Sequence, residues 1–228
     1  MTIPYADVSQ TRGNGIVAFV DEKGNVVASE AFASIFGKEK RGIGVGVLSD
    51  HYDALGWMSM SGQTYYLHGK DQNVYLTQMD ADTLQAQLDE LYFLVIDSYD
   101  VSSLGKEKIK AIEKWVKNGG WLLIGTGERG KDTLGGFDSS FMEVSCKRVS
   151  KVGEENDASK EMQQLGSYSG FTGIDFSQMP VAKLQRNNIN ASKSEAYPGW
   201  VYACGDGAIG VCAVSYTHLR AHETGRNL

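Results

Sequence analysis

The chain is poor in cysteine, proline and histidine, and each shortage closes off a class of chemistry. Three cysteines in 228 residues, Cys146, Cys204 and Cys212, form no metal spacing and no CxxC pair. A zinc site and a disulfide framework are therefore both unsupported. Cys204 and Cys212 flank an expected hairpin, but a tight turn at Gly205, Asp206 and Gly207 sets Cys212 nearer to Trp200 than to Cys204, which disfavours a bridge. No apolar run approaches the roughly 18 residues that a membrane span requires. Met1 is followed by polar sequence without a signal-peptide core. Nor is there a long basic cluster: 22 basic against 28 acidic residues leave a formal net charge of -6, which argues against nucleic acid or an anionic membrane as the main partner. A small molecule or a protein is the expected partner, and no cofactor or metal is implied.

What is present is a local pattern that defines a fold class. Residues 92–127, YFLVIDSYDVSSLGKEKIKAIEKWVKNGGWLLIGTG, read as strand, loop, amphipathic helix, double glycine and second strand. Ile109, Ile112, Trp115 and Val116 recur at helical spacing, while Lys108, Lys110, Lys114 and Lys117 occupy the opposite face. Gly119 is placed to end the helix in a left-handed conformation. Two apolar strands bracketing one helix call for a crossover that leaves both strands parallel in one sheet. We therefore expect an α/β protein, a flavodoxin-like three-layer sandwich with a mostly parallel sheet.

Around this unit the pattern is weaker. Residues 15–28 read as a hairpin, 34–41 as a charged connector and 42–48 as a buried strand. A short helix follows over 50–60, with Tyr52, Leu55 and Met58 or Met60 inward. Strands are expected at 64–67 and 73–78 about a turn at 69–72, then a helical stretch at 80–88. Further strands fall at 141–152 and 180–186, separated by a long polar loop over 153–173, and a closing hairpin pairs 200–204 with 208–213. The spacing of the elements divides the chain into 1–41, the end of an upstream β domain or a connector, and the α/β domain from 42 to 213. No internal repeat is present.

In open α/β sheets, ligands collect outside the carboxyl ends of the strands. Three such ends carry polar groups: Ser49, Asp50, His51 and Asp53; then Asp97, Ser98, Tyr99 and Asp100; then Thr126, Gly127, Glu128 and Arg129. His51 beside Asp53 or Asp97 offers a general base; the plainer alternative is a solvated histidine beside helix-capping aspartates. Asp97 and Asp100 offer paired carboxylates or a cation site, or simply accept loop amides. GTGERGK, residues 125–131, follows a strand and reproduces phosphate-loop spacing up to its lysine. Asp132 then stands where a magnesium-binding hydroxyl belongs, and 133–136 make a poor helix start. Thr126 between two glycines occupies the position of a nucleophile elbow, yet threonine needs a base or an N-terminal amine to attack.

Residues 214–228, VSYTHLRAHETGRNL, resemble the translation of a transposase-type sequencing adapter read through at the end of a metagenomic fragment. The adapter frame matches Val214 to Thr224 without a gap. We accordingly set this segment aside as an artefact. His218 and His222 leave with it, so that no metal or catalytic cluster is read from them.

Three segments, LVIDSYDVSSL, KIKAIEKWVKNGGWLLIGTG and GWVYACGDGAIGVCAV, resemble the class I glutamine amidotransferase-like superfamily, in the group that includes ThuA-like domains. Catalytic members of that superfamily carry a cysteine at the elbow where this chain has Thr126, and a later histidine that it lacks outside the adapter-like tail. The resemblance thus implies a domain without amidotransferase chemistry. Similar segments in surface-exposed domains of bacterial membrane proteins imply an export signal upstream and an anchor downstream. We expect a non-catalytic ligand-binding or protein-interaction module of a larger cell-envelope protein. The alternatives are a hydrolase-type enzyme using His51, Asp97 and Thr126, and nucleotide binding at 125–131.

Overall fold

The computed structural model describes residues 14–21, 26–33, 42–59, 64–67, 70–155, 160, 162, 175–187, 191–193 and 199–217. The chain divides into two compact units, Met1–Ile43 with Ser61–Tyr75, and Gly44–Met60 with Leu76–Leu228. In the smaller unit, β1 (Asn14–Val20) pairs antiparallel with β2 (Val26–Ala33), from Asn14 opposite Ala33 to Val20 opposite Val26. Also in this unit, β4 (Thr64–Leu67) pairs with the start of β5 (Lys70–Gln78). Lys70, Asp71 and Gln72 belong to that ladder and not to a turn, because a two-residue connection leaves more backbone groups paired. His68 and Gly69, like the connector at 34–41, lie outside the described residues.

The larger unit is built on a mostly parallel sheet. Its strands run in the order β10 (Ser192–Lys193), β11 (Gly199–Cys204), β12 (Gly207–Cys212), β7 (Trp121–Gly125), β6 (Phe93–Asp97) and β3 (Gly42–Leu48). The end of β5 follows beside β3, where the Met79 amide donates to the Val47 carbonyl at 2.8 Å. The four strands from β12 to β3 are parallel, and β11 and β10 add antiparallel pairs at one edge. Leu94, Ile96, Leu122, Ile124, Ile209 and Val211 are buried on one face of this sheet. Against them packs α2 (Lys106–Lys117), whose Ile109, Ile112, Trp115 and Val116 are the buried stripe that the sequence spacing requires. Each such side chain removed from water contributes about 1.5–3 kcal/mol. Its lysines lie on the outer side.

Helix α2 ends as its two glycines dictate. Gly119 has φ +113°, a conformation that a side chain resists. Gly120 lies under the Trp115 ring, whose nearest atoms would be 2.4 Å from a Cβ at position 120. Trp115 can cover the helix end only because position 120 has no side chain.

The opposite face is covered toward the carboxyl ends of the strands. Val152, Met162, Phe176, Met179, Val181, Cys212, Ala213 and Val214 form a second apolar cluster. Here β8 (Val144–Lys151) and β9 (Pro180–Arg186) make a separate two-stranded antiparallel sheet, tied to the chain after β12 by the Ala182 amide on the Ala213 carbonyl at 2.7 Å. The adjoining Glu155 accepts from Arg148 and from Lys183, and these bonds hold its carboxyl down at about 2. The polar stretch 153–173 falls largely outside the described residues.

Several elements differ from the expected ones for identifiable reasons. Residues Tyr52–Ser59 form a 3-10 helix, and the inward spacing of Tyr52, Leu55 and Met58 is its three-residue repeat. The 80–88 stretch yields only α1 (Leu84–Gln87), followed by a 3-10 turn at Leu88–Glu90, because Asp80 draws the backbone into a turn by accepting the Asp82 amide on its carboxylate. Strand β8 begins at Val144, since Asp138 pulls Phe141 and Met142 into a turn through its backbone carbonyl. The closing hairpin forms, with Cys212 opposite Gly199, and no disulfide joins the three cysteines. Of the adapter-like tail, Val214 to Thr217 are described, with Val214 and Ser215 fully buried, whereas 218–228 lie outside the described residues. Among the described residues no helix is long and apolar enough to cross a membrane.

The packing of Trp115 on Gly120 makes a direct prediction. Gly120→Val should lower stability by about 1–3 kcal/mol, as overpacking does. Gly135→Ala, whose added Cβ would meet nothing within 4 Å, should not. Urea unfolding of both variants checks this, and equal stability of the two would contradict the arrangement.

Candidate functional site

Four parallel strands bring their carboxyl ends to one edge of the sheet, and the polar residues singled out above gather there. The register sets Asp97, the last residue of β6, opposite Gly125, the last of β7. Asp97 is fully buried, and a Cβ at position 125 would lie 2.0 Å from its Oδ1. Gly125 is thus the space that the carboxylate occupies. Asp97 accepts the Ser215 hydroxyl on Oδ2 and the Tyr216 amide on Oδ1, both at 2.7 Å. A buried carboxylate needs such donors, since an unpaired one carries a large desolvation cost.

The next residue, Ser98, turns the chain sharply. It is the one non-glycine residue with positive φ among the described residues, at +50°. Its amide donates to the Gly125 carbonyl at 2.8 Å and its hydroxyl to the Thr126 carbonyl at 3.3 Å, so the turn is fastened to the end of β7. Thr126 is fastened in turn to β12: its amide and its hydroxyl both donate to the Cys212 carbonyl, at 3.2 and 2.7 Å. Thr126 is fully buried, with ordinary helical φ and ψ of -98° and -57°. The left-handed backbone that marks a nucleophile elbow is at Ser98 and Gly127, not at Thr126.

Arg129 links the remaining strand end. It donates to the Asp50 carboxylate at 2.6 Å and to the Ser98 carbonyl at 3.2 Å, while Asp132 lies 3.9 Å away. Asp50 follows β3, so this one guanidinium connects the ends of β3 and β6. Asp100 caps the 3-10 turn Val101–Leu104. Its carboxyl is lowered, first by the Ser102 hydroxyl and also by the Ser102 amide and Arg129. Glu128 is exposed.

His51 is also exposed, and among the described residues its imidazole forms no hydrogen bond or ion pair. Its backbone amide instead donates to the Ser49 hydroxyl at 3.1 Å. No acid–base pair is assembled from His51, Asp53 and Asp97. Burial raises the thiols of both Cys146 and Cys204. Among the described residues no group of three or more histidine, cysteine, aspartate or glutamate side chains could hold a metal ion.

The GTGERGK segment does not form an open phosphate cradle. Gly127–Arg129 make a 3-10 turn that runs directly into α3 (Gly130–Gly135), a helical start that the glycines and threonine of this stretch did not suggest. Packing supplies the reason: Gly130 is buried, and a Cβ there would lie 2.9 Å from Ala182 and from Cys146. Lys131 is exposed, so Arg129 is the basic residue held at the strand ends. Sequence reasoning named Ser98, Asp50 and Arg129 but not the Asp50–Arg129 pairing, and missed the Ser215 partner of Asp97. The pairs span 79 and 118 positions, beyond the reach of any local signal.

No family model and no curated protein matches the chain. Among solved structures it is similar to an exo-beta-1,4-mannosidase from Opitutaceae bacterium strain TAV5, with 11% identity and a TM-score of 0.49 over 80% of this chain and 33% of that one. A cytoplasmic protein from Salmonella typhimurium LT2 matches at 11% identity and TM-score 0.46, over 89% and 85% of the two chains. A protein described as ThuA-like from Bacteroides uniformis ATCC 8492 matches at 9% identity and TM-score 0.41, over 79% and 84%. The chain spans about a third of the length of the glycosidases it matches. The fold assignment rests on the strand pairing described above.

The two hydroxyls at this edge differ in what they hold. Ser215→Ala removes a hydroxyl donor from a buried carboxylate and should cost about 1–3 kcal/mol. Thr126→Val leaves the Cys212 carbonyl bonded to the Thr126 amide, and should cost about 0.5–1.5 kcal/mol. Denaturant unfolding ranks the two, and the reverse order would contradict the placement of Ser215 on Asp97.

Proposed function

We propose that this chain is a non-catalytic binding module, recognising a small molecule or a protein, within a larger cell-envelope protein. The observation that carries this reading is the mutual engagement of the strand-end groups. The Thr126 hydroxyl is committed to the Cys212 carbonyl, Asp97 to Ser215 and Tyr216, and Arg129 to Asp50 and Ser98. A catalytic site needs a nucleophile within hydrogen-bond reach of its base. Here the candidate nucleophile is buried against a carbonyl and the candidate base is in solvent. What remains available at this edge is a rigid polar surface formed by Asp50, Asp100, Glu128 and Arg129, suited to recognition.

The envelope setting rests on the resemblance of the three sequence segments to surface domains of bacterial membrane proteins. It entails an export signal and a membrane anchor in the larger protein.

A turnover assay decides between module and enzyme. The chain, incubated with glutamine, with p-nitrophenyl acetate and with p-nitrophenyl phosphate, should release product no faster than Thr126→Val or buffer alone. Hydrolysis that is present in the parent chain and lost in Thr126→Val or His51→Ala would establish the enzyme reading instead.

A further inference from the structure

Helix α2 ends on Asn118 followed by Gly119, and an asparagine before a glycine is a chemically labile pair. The amide nitrogen of the second residue attacks the side-chain carboxamide carbon of the first, ammonia leaves, and the succinimide so formed takes up water to give aspartate or isoaspartate. Glycine in second place favours this, since no side chain hinders the attack. Both residues are exposed here, so water and hydroxide reach them. Among the described residues the Asn118 carboxamide forms no hydrogen bond or ion pair, which leaves its carbon open to attack.

What opposes the reaction is the engagement of the attacking nitrogen. The Gly119 amide donates to the Val116 carbonyl at 3.0 Å. Asn118 is held at φ -91° and ψ 11°, its own amide donating to the Lys114 and Trp115 carbonyls at 3.1 and 3.2 Å. Ring closure must release the Gly119 amide and rotate ψ of Asn118, which amounts to opening the last turn of the helix. Such an opening requires less free energy than global unfolding. The chain on either side is pinned to the closing hairpin: the Asp206 amide donates to the Lys117 carbonyl at 3.0 Å, and the Ala208 amide to the Gly120 carbonyl at 3.3 Å.

We infer that Asn118 is a deamidation site gated by opening of the α2 end, and that its conversion loosens the cover of the sheet. Aspartate at 118 puts a negative charge at the carbonyl end of a twelve-residue helix, the negative pole of its dipole. Asp89 and Glu90 already stand across the adjoining cleft. Isoaspartate lengthens the backbone by one methylene between two pinned points. Gly119, at φ +113°, and Gly120, packed under the Trp115 ring, cannot absorb that length without moving Trp115. This inference is independent of the reading given to the carboxyl edge of the sheet.

Incubation of the full chain at mildly alkaline pH, with and without denaturing urea, followed by peptide mapping, tests it. In the folded chain the peptide carrying Asn118 should gain one dalton and yield both aspartate and isoaspartate, about tenfold or more slowly than in the unfolded chain. A folded chain that does not convert at all, or that converts as fast as the unfolded one, would overturn the assignment. Stability is read separately by urea unfolding. Asn118→Gln should keep the parent midpoint, whereas Asn118→Asp and the isoaspartate-bearing fraction of aged chain should unfold at lower urea. Midpoints equal to the parent's in both would overturn the effect assigned to the helix end.

Discussion

Everything in the larger unit depends on the burial of one helix stripe against three strands. Ile109, Ile112, Trp115 and Val116 cover Leu94, Ile96, Leu122, Ile124, Ile209 and Val211, and this contact holds β6, β7 and β12 parallel and in register. Register is a strict consequence, since a slip of one residue would turn the apolar set of a strand to the wrong face. The same register places Asp97 beside Gly125 and stacks the three carboxyl ends at one level. The polar edge is therefore positioned by apolar packing many ångströms from it.

At that edge, the strand-end groups are fastened to one another. A sheet of this kind exposes turning strand ends, and enzymes built on such sheets leave one hydroxyl, thiol or carboxylate free to meet a substrate. In this chain the turn after β6 is fastened to β7, the turn after β7 to β12, and the chain after β12 back to β6. The loop of contacts uses the threonine hydroxyl, the serine hydroxyls and the buried aspartate that chemistry would need. The Asp50–Arg129 pair faces outward, as a half-exposed charged surface.

The sequence made the central unit legible because its information is local. Apolar spacing along α2, the glycine pair after it and the two flanking apolar runs are all contained in residues 92–127. The three strand ends could also be grouped from sequence, because parallel order sends them to one edge. Their pairing could not be read in the same way. Whether Arg129 meets Asp50 or Asp100, and whether the Thr126 hydroxyl points to solvent or to the Cys212 carbonyl, depends on backbone positions set by strands far apart in the chain. The 3-10 geometry of Tyr52–Ser59 was visible only as an inward three-residue spacing that also fits an α-helix. The short helix α3 was masked by its glycines, which look like breakers until the close approach of Cys146 and Ala182 explains Gly130. The adapter resemblance of 214–228 concerns the origin of those codons, whereas the burial of Val214 and Ser215 concerns the chain as it stands.

The central claim is that no side chain at the carboxyl edge is a competent nucleophile. Covalent labelling tests it most directly: the folded chain is incubated with a fluorophosphonate and with the glutamine-mimicking electrophile 6-diazo-5-oxonorleucine, then weighed intact by mass spectrometry. The account predicts an unchanged mass with both reagents. A stoichiometric adduct mapped to Ser98 or Thr126 would contradict it.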